Sequence, residues 1–267
     1  MRVNHEAAFV LHQRNYSETS LLVELFSHEY GRLTVLAKGA RRPSSPFRGL
    51  LKPFQPLLTG WVGRTDLPIL TQAEASGPSL LPAGPAIYCG FYLNELLCRL
   101  LHRHDPHLPL YDSYASTLEA ISVNPMLEQP LRYFELQLLR DLGYGPVLDR
   151  DIGSGDPVVA GTVYDYLPDR GPVAVVPNAS SATPRGLRLM GETLLGLAQC
   201  QLDTPDSLRE SKRLMRMLLA VHLGMEPLHS RMLMQRVLAA KGMSEQNELT
   251  DMDQPCESTC GSPRTDD

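Results

Sequence analysis

Between Glu29 and Asp66 the chain has no acidic residue, while Arg32, Lys38, Arg41, Arg42, Arg48, Lys52 and Arg64 all fall there. A segment without carboxylates of its own cannot neutralise its cations locally, so it attracts phosphate along its length. Other absences narrow the class. No stretch approaches ~18 consecutive apolar residues, which excludes a hydrophobic membrane-spanning helix. The amino terminus, MRVNHEAAFVLHQ, lacks the apolar core and small-residue cleavage site of a secretory signal. The five cysteines are odd in number and irregular in spacing, which fits a reducing, cytoplasmic setting better than a disulfide framework.

The 267 residues suffice for one large domain or two modest ones, and 43% apolar content supports a packed core. The net charge of -5 is unevenly spread. From Gly242 onward, seven carboxylates stand against Arg264 alone, a net of -6 that leaves the rest of the chain at +1. The basic stretch is therefore a local feature and not a drift in composition.

Residues 1–80 read as β structure. Runs begin at Ala8–Leu11, Thr19–Phe26, Phe54–Val62 and Ile69–Ala75, with His28–Gly31 as a hairpin turn in which Gly31 is free to take positive φ. Leu33, Val35 and Ala37 alternate with Thr34, Leu36 and Lys38, a period of two that sends Lys38 to the outer face. Five short strands in this length predict a small antiparallel barrel, since closure removes exposed edges. The Pro-bearing run Lys38–Arg48 is expected to be a flexible loop.

Beyond Gly77 the period becomes helical. Ile87, Phe91, Leu96/Leu97 and Leu100/Leu101 predict a helix over Ala86–Leu101. Leu110–Ile121 and Leu131–Leu142 follow, the latter with a Leu131/Phe134/Leu138/Leu142 stripe and Gly143 as its stop. Residues 145–184 are dense in Gly, Pro, Asp and Ser and read as a small irregular insertion with short β-like runs at Pro157–Tyr166 and Val173–Val176. Helices are expected again at Arg185–Cys200, Ser207–Leu223 and Ser230–Ala240, and residues 241–267 read as a disordered acidic tail. The fold class is α+β. On the Ser207–Leu223 helix, Arg209, Lys212, Arg213 and Arg216 share one face, with Leu214, Met215, Leu218 and Val221 roughly opposite. That face is either an ordinary solvated surface or an anion-binding one.

Several strings occur in order: AFVLH (8–12), SETSL (17–21), GR (31–32), AKGAR (37–41), PFQPL (53–57), YLNELL (92–97), LRYFEL (131–136), LGYG (142–145) and HLGMEPLHSR (222–231). Together they resemble the RecO family of recombination mediator proteins over about residues 7–240. The resemblance implies a five-stranded OB-fold at 1–80, a helical domain at 81–240 and a small inserted element. It also implies a non-enzymatic, cytoplasmic, nucleoid-associated protein. Such a protein binds single- and double-stranded DNA and anneals complementary strands. With the RecR ring protein it helps load the recombinase onto DNA coated with single-strand-binding protein, whose acidic C-terminal tail it also binds.

On this reading Arg14, Lys38, Arg41, Arg42, Arg48, Lys52 and Arg64 supply nucleic-acid contacts on the barrel, joined by Arg209, Lys212, Arg213 and Arg216 on the helix. Tyr16, Tyr30, Phe47 and Trp61 are rings that either stack on bases or fill the barrel. The match places Arg132 in the tail-binding site, with Leu136 and Arg140 on its helix face; the plainer alternative is a surface ion pair of Arg132 with Glu128 or Glu135. Many members hold zinc with cysteines in the insertion. Here that element opens DRDIGSGD (149–156) and contains no cysteine, so neither zinc nor any other cofactor is expected.

Two rival readings are an OB-fold adaptor whose main ligand is protein, and a metal-dependent nuclease or phosphohydrolase built on His102–His107 (HRHDPH). The order of that run is wrong for a metal site, and it fits a polar helix terminus. Gly153–Gly155 reads as a turn and not a phosphate loop, and Cys256 and Cys260 as adventitious thiols.

Overall fold

The computed structural model describes residues 1–63, 67–123, 127–175, 186–224 and 226–237. Arg64 and the acidic tail with Cys256 and Cys260 lie outside these residues. Strands β1 (Arg2–Tyr16), β2 (Ser20–Ser27), β3 (Gly31–Ala37), β4 (Pro56–Val62) and β5 (Ile69–Ala75) close a barrel in the order β1-β2-β3-β5-β4. Strands β3 and β5 pair in parallel, the other strand pairs of the barrel are antiparallel, and β1 closes the barrel by pairing with both β2 and β4.

The AFVL run shows why β1 looks continuously apolar and does not alternate. Ala8 and Val10 point into the barrel core, with Val23, Leu25, Leu33, Val35 and Trp61. Phe9 and Leu11 point outward, but into a second core shared with the helices. Phe9 and Phe26 meet Tyr111 and Tyr114 at ring distances of 5.1–6.0 Å. A strand buried on both faces gains apolar burial from every residue and loses its polar period.

The helices are α1 (Ala86–Leu100), α2 (Leu108–Val123), α3 (Glu128–Asp141), α4 (Gly191–Ala198) and α5 (Pro205–Leu223), with a further helical segment at residues 229–237. Polar contacts fix the helices to the barrel. Buried Asn94 donates to the Leu11 carbonyl at 2.9 Å and accepts from the Tyr114 hydroxyl at 2.6 Å. The Arg32 guanidinium donates to the Leu101 carbonyl, and the His104 N–H donates to the Arg32 carbonyl. Gly31 has φ +64°, and a Cβ there would lie 1.9 Å from the Asp105 carbonyl oxygen, so both the hairpin and the docking of the helices require glycine.

Four expectations are corrected. The buried face of α1 runs through Cys89, Gly90, Leu93, Leu96 and Leu97, while Ile87 is half-buried and Phe91 is exposed against Phe54. Residues Leu187–Met190 are not helical but form strand β8, which joins β6 (Val163–Leu167) and β7 (Gly171–Ala174) in a sheet of order β7-β6-β8. The insertion is thus more regular than its composition suggests, because Tyr164, Tyr166 and Leu189 bury themselves in the helical core. Helix α5 begins at Pro205, where Thr204 and Ser207 form a reciprocal capping pair. Finally, Val221 lies in solvent, while Leu214, Met215 and Leu218 are buried as expected.

Candidate functional site

Two separate cation sites stand on this frame. The first lies at one end of the barrel. Residues 38–52 are irregular, but they are stapled and do not hang free: successive turns are closed by Arg42 N–H to Gly39 O, Ser45 N–H to Arg42 O and Leu50 N–H to Phe47 O. The Arg41 N–H is anchored on the Thr19 carbonyl at 2.9 Å. Ala40, Phe47 and Leu51 plug the barrel end. Since the apolar residues turn inward, Arg41, Arg42, Arg48 and Lys52 are left outside, lining a shallow cavity of about 400 Å³ with Gln13 and Leu21. None of these four makes an ion pair among the described residues. Lys38 is exposed at the end of β3 but does not line the cavity.

The positive track is not unbroken. Arg32 is withdrawn from it by Glu24 at 2.6 Å. Arg14 projects from the opposite face of β1 to Gln13, into a crevice of about 640 Å³ between barrel and helices that Arg103, His12, His229 and Phe91 also line. The alternation of β1 side chains divides the two sides. Of the four candidate rings, Trp61 and Phe47 belong to the barrel core and Tyr30 packs edge-on to Trp61, whereas Tyr16 is 47% exposed beside Arg14.

The second site is a pocket of about 460 Å³ between α1, α3, α5 and the helical segment 229–237. Cys89, Leu127, Leu131 and Leu208 give it apolar surface, and Arg132, Lys212, Arg216 and Arg231 give it charge. Arg132 is not a surface residue. It is 5% exposed and donates to Glu135 Oε1 at 2.7 Å, which also accepts from the Tyr92 hydroxyl at 2.6 Å. Burial pushes the Glu135 carboxyl up, against the pull of Arg132 and the Tyr92 hydrogen bond. Arg132 Nε and Glu135 Oε2 are buried without hydrogen-bond partners among the described residues. An unsatisfied buried guanidinium N–H is costly unless a ligand completes it.

The sequence grouping around Arg132 is corrected in two members. Leu136 is 1% exposed, inside the helical core, and Arg140 is exposed two turns further along; neither lines the pocket. Helix α3 is buried around most of its circumference, so a face drawn from spacing alone crosses into the core. Sequence reasoning missed Tyr92, Arg231 and Met234, although YLNELL and HLGMEPLHSR contain the first two. The second string is held by α1: Glu95 accepts from the backbone of His229 and Ser230 and from the Ser230 hydroxyl, and Arg99 donates to the Leu223 and Glu226 carbonyls. Burial opposes the charge of Glu95, but these hydrogen bonds hold its carboxyl below the usual range. The basic face of α5 is also divided. Arg209 pairs with Asp206 and Lys212 with Glu128; Lys212 and Arg216 overlook the pocket, and Arg213 is exposed.

The HRHDPH run is used for docking. His104, at φ +61°, and Asp105 present their backbone to β3, and His107 lies between Asp105 and Asp141 at 3.5 and 4.0 Å. In the insertion, both Asp151 oxygens are taken by the backbone, from Gly153 at 2.7 Å and Ala174 at 3.2 Å, which makes Gly153–Gly155 a turn. With no cysteine there and its buried carboxylate already engaged, the insertion does not offer the donor set that a structural zinc needs.

The family model described as recombination protein O N terminal matches residues 1–78, and that for the C terminal matches residues 82–232. The chain belongs to the RecO family. A relative from Nitrosospira multiformis, named DNA repair protein RecO, is 46% identical over 233 residues, covering 87% of this chain and 95% of the relative. One of the same name from Nitrosococcus oceani is 45% identical over 248 residues, covering 93% and 99%. Another from Coxiella burnetii is 45% identical over 233 residues, covering 87% and 98%. The family is one of DNA repair and recombination proteins and not of enzymes. Among the described residues no helix is long and apolar enough to cross a membrane.

Proposed function

We propose that this chain is a recombination mediator that divides its work between an OB-fold at 1–80 and a helical domain at 81–240. The barrel end holds phosphates of single- or double-stranded DNA. Four exposed cations there, Arg41, Arg42, Arg48 and Lys52, which make no ion pair among the described residues, support this part of the reading. Neutralising two backbones at one surface lowers their mutual repulsion, and base pairing then drives annealing without covalent chemistry. Lys38 extends the contact at the end of β3, while Arg14, with Tyr16 as a stacking face, offers a second contact in the crevice on the other side of β1; Arg209 and Arg213 offer further exposed cations on α5.

The Arg132 pocket is the receptor for the acidic C-terminal tail of single-strand-binding protein. The buried Arg132 Nε, without a partner among the described residues, carries this reading, because a carboxylate is the ligand that a guanidinium recognises best. Lys212, Arg216 and Arg231 steer the acidic peptide, and the apolar surface takes its terminal side chain. Recruitment to coated DNA, and loading of the recombinase with RecR, follow from holding tail and DNA at separate sites. An annealing assay with complementary oligonucleotides, bare and coated, tests the whole. Coated strands should anneal only when the Arg132 pocket is intact, and bare strands should not depend on it.

A further inference from the structure

The acidic segment that follows the last described helix has the composition of a ligand for the Arg132 pocket. It contains Glu245, Glu248, Leu249, Asp251, Met252 and Asp253, carboxylates interleaved with apolar side chains. The pocket offers the complement. Its two carboxylates are engaged, Glu128 by Lys212 and Glu135 by Arg132 and Tyr92. Arg216 and Arg231 have no ion-pair partner among the described residues, and Leu127, Leu131 and Met234 supply apolar contact.

Position favours the same pairing. Met234 lines the pocket, and the helical segment that carries it ends its described course at residue 237. The connection from residue 237 to Leu249 can span up to ~40 Å, far more than is needed to fold back onto a neighbouring pocket. A segment tethered that closely is present at an effective concentration of the order of millimolar. The charge division points the same way, since residues 242–267 carry -6 and the remaining chain +1.

We infer that residues 245–253 of this chain occupy the Arg132 pocket in cis and compete there with an acidic peptide from another protein. The inference deepens the receptor reading of that pocket and rests on it. The segment is an internal competitor that sets a threshold: only a partner tail presented at high local density, as on coated DNA, displaces it. Since the barrel-end cations lie elsewhere, DNA binding there is not the step restrained.

The test compares the full chain, a chain lacking residues 242–267, and a full-length variant carrying Glu245→Gln, Glu248→Gln, Asp251→Asn and Asp253→Asn. The probes are a fluorescent acidic peptide ending in a free phenylalanine carboxylate and a fluorescent peptide of residues 243–257. The truncated and neutralised chains should bind the first probe about tenfold more tightly than the full chain, as expected for a cis ligand with millimolar effective concentration and a weaker intrinsic affinity. The second probe should bind the truncated chain and be lost on Arg231→Ala. Equal affinity of all three chains for the first probe overturns the inference and leaves the receptor reading standing. Failure of the first probe with every chain, while the 243–257 peptide still binds through Arg231, overturns the receptor reading and leaves the cis contact. A difference between full and truncated chains that grows with protein concentration overturns the assignment in cis.

Discussion

The barrel-end cluster and the Arg132 pocket both gather arginines, but they put them in opposite electrical settings. Arg41, Arg42, Arg48 and Lys52 stand in water around a shallow cavity that no carboxylate lines among the described residues. Each contributes a modest, screened attraction, and the attractions add along a polyanion, which suits a ligand recognised by charge spacing and not by sequence. Arg132 is withdrawn from water and tied to Glu135 and, through it, to Tyr92. There the charge is expensive, its direction is set, and one missing hydrogen bond matters. On the proposed reading, one chain thus carries a weak, extended anion site and a strong, pointed one.

Substitutions can break this contrast or sharpen it. The largest effect should come from Glu135→Ala, which leaves Arg132 buried without its counter-ion. A loss of about 3–5 kcal/mol in unfolding free energy is expected, measurable by urea denaturation. A loss below about 1 kcal/mol would mean that water reaches Arg132 and that the two sites differ less than described. Next is Arg132→Ala, which should weaken an acidic peptide by about 2–5 kcal/mol, while oligonucleotide affinity stays within twofold; Arg231→Ala should move in the same direction by less, without the folding cost. Peptide anisotropy and oligonucleotide titration on the same preparations separate the two readouts.

The double charge reversal Arg41→Glu/Arg42→Glu should weaken single-stranded DNA binding. It should also reduce the slope of log affinity against log salt by about 1.4, at ~0.7 per lost phosphate contact. Melting temperature should be unaffected because neither side chain is buried. An unchanged slope would remove these residues from the interface. The smallest effect belongs to Tyr16→Ala, with a loss of about 1 kcal/mol in single-strand affinity and none in stability. In Trp61→Ala the order is inverted, with about 3–5 kcal/mol lost from the fold.

Legibility in the sequence followed the range of the interaction. The hairpin at Gly31, the alternation of Leu33, Val35 and Ala37, and the stop at Gly143 rest on near neighbours, and the structure agrees with each. The predicted Arg185–Cys200 helix fails at its start because Leu187–Met190 pairs with β6, more than twenty residues away. Phe91 looked like core because its spacing is helical, but α1 turns Gly90 toward Phe54 and leaves Phe91 at the rim. In the candidate site, the basic residues of the barrel could be named but not sorted. Arg32 and Arg41 look alike until Glu24 is seen across the β2–β3 hairpin.

Composition and period were sufficient for a small β unit followed by helices, for the carboxylate-free stretch and for the acidic carboxyl-terminal segment, because each depends on residue type and local spacing. Which cations remain free, which face of β1 carries Arg14, and that Arg132 is buried beside Glu135 were decided by packing. A charge becomes a site only through the water and counter-ions around it, and those are set by contacts such as Lys212 with Glu128, 84 residues apart.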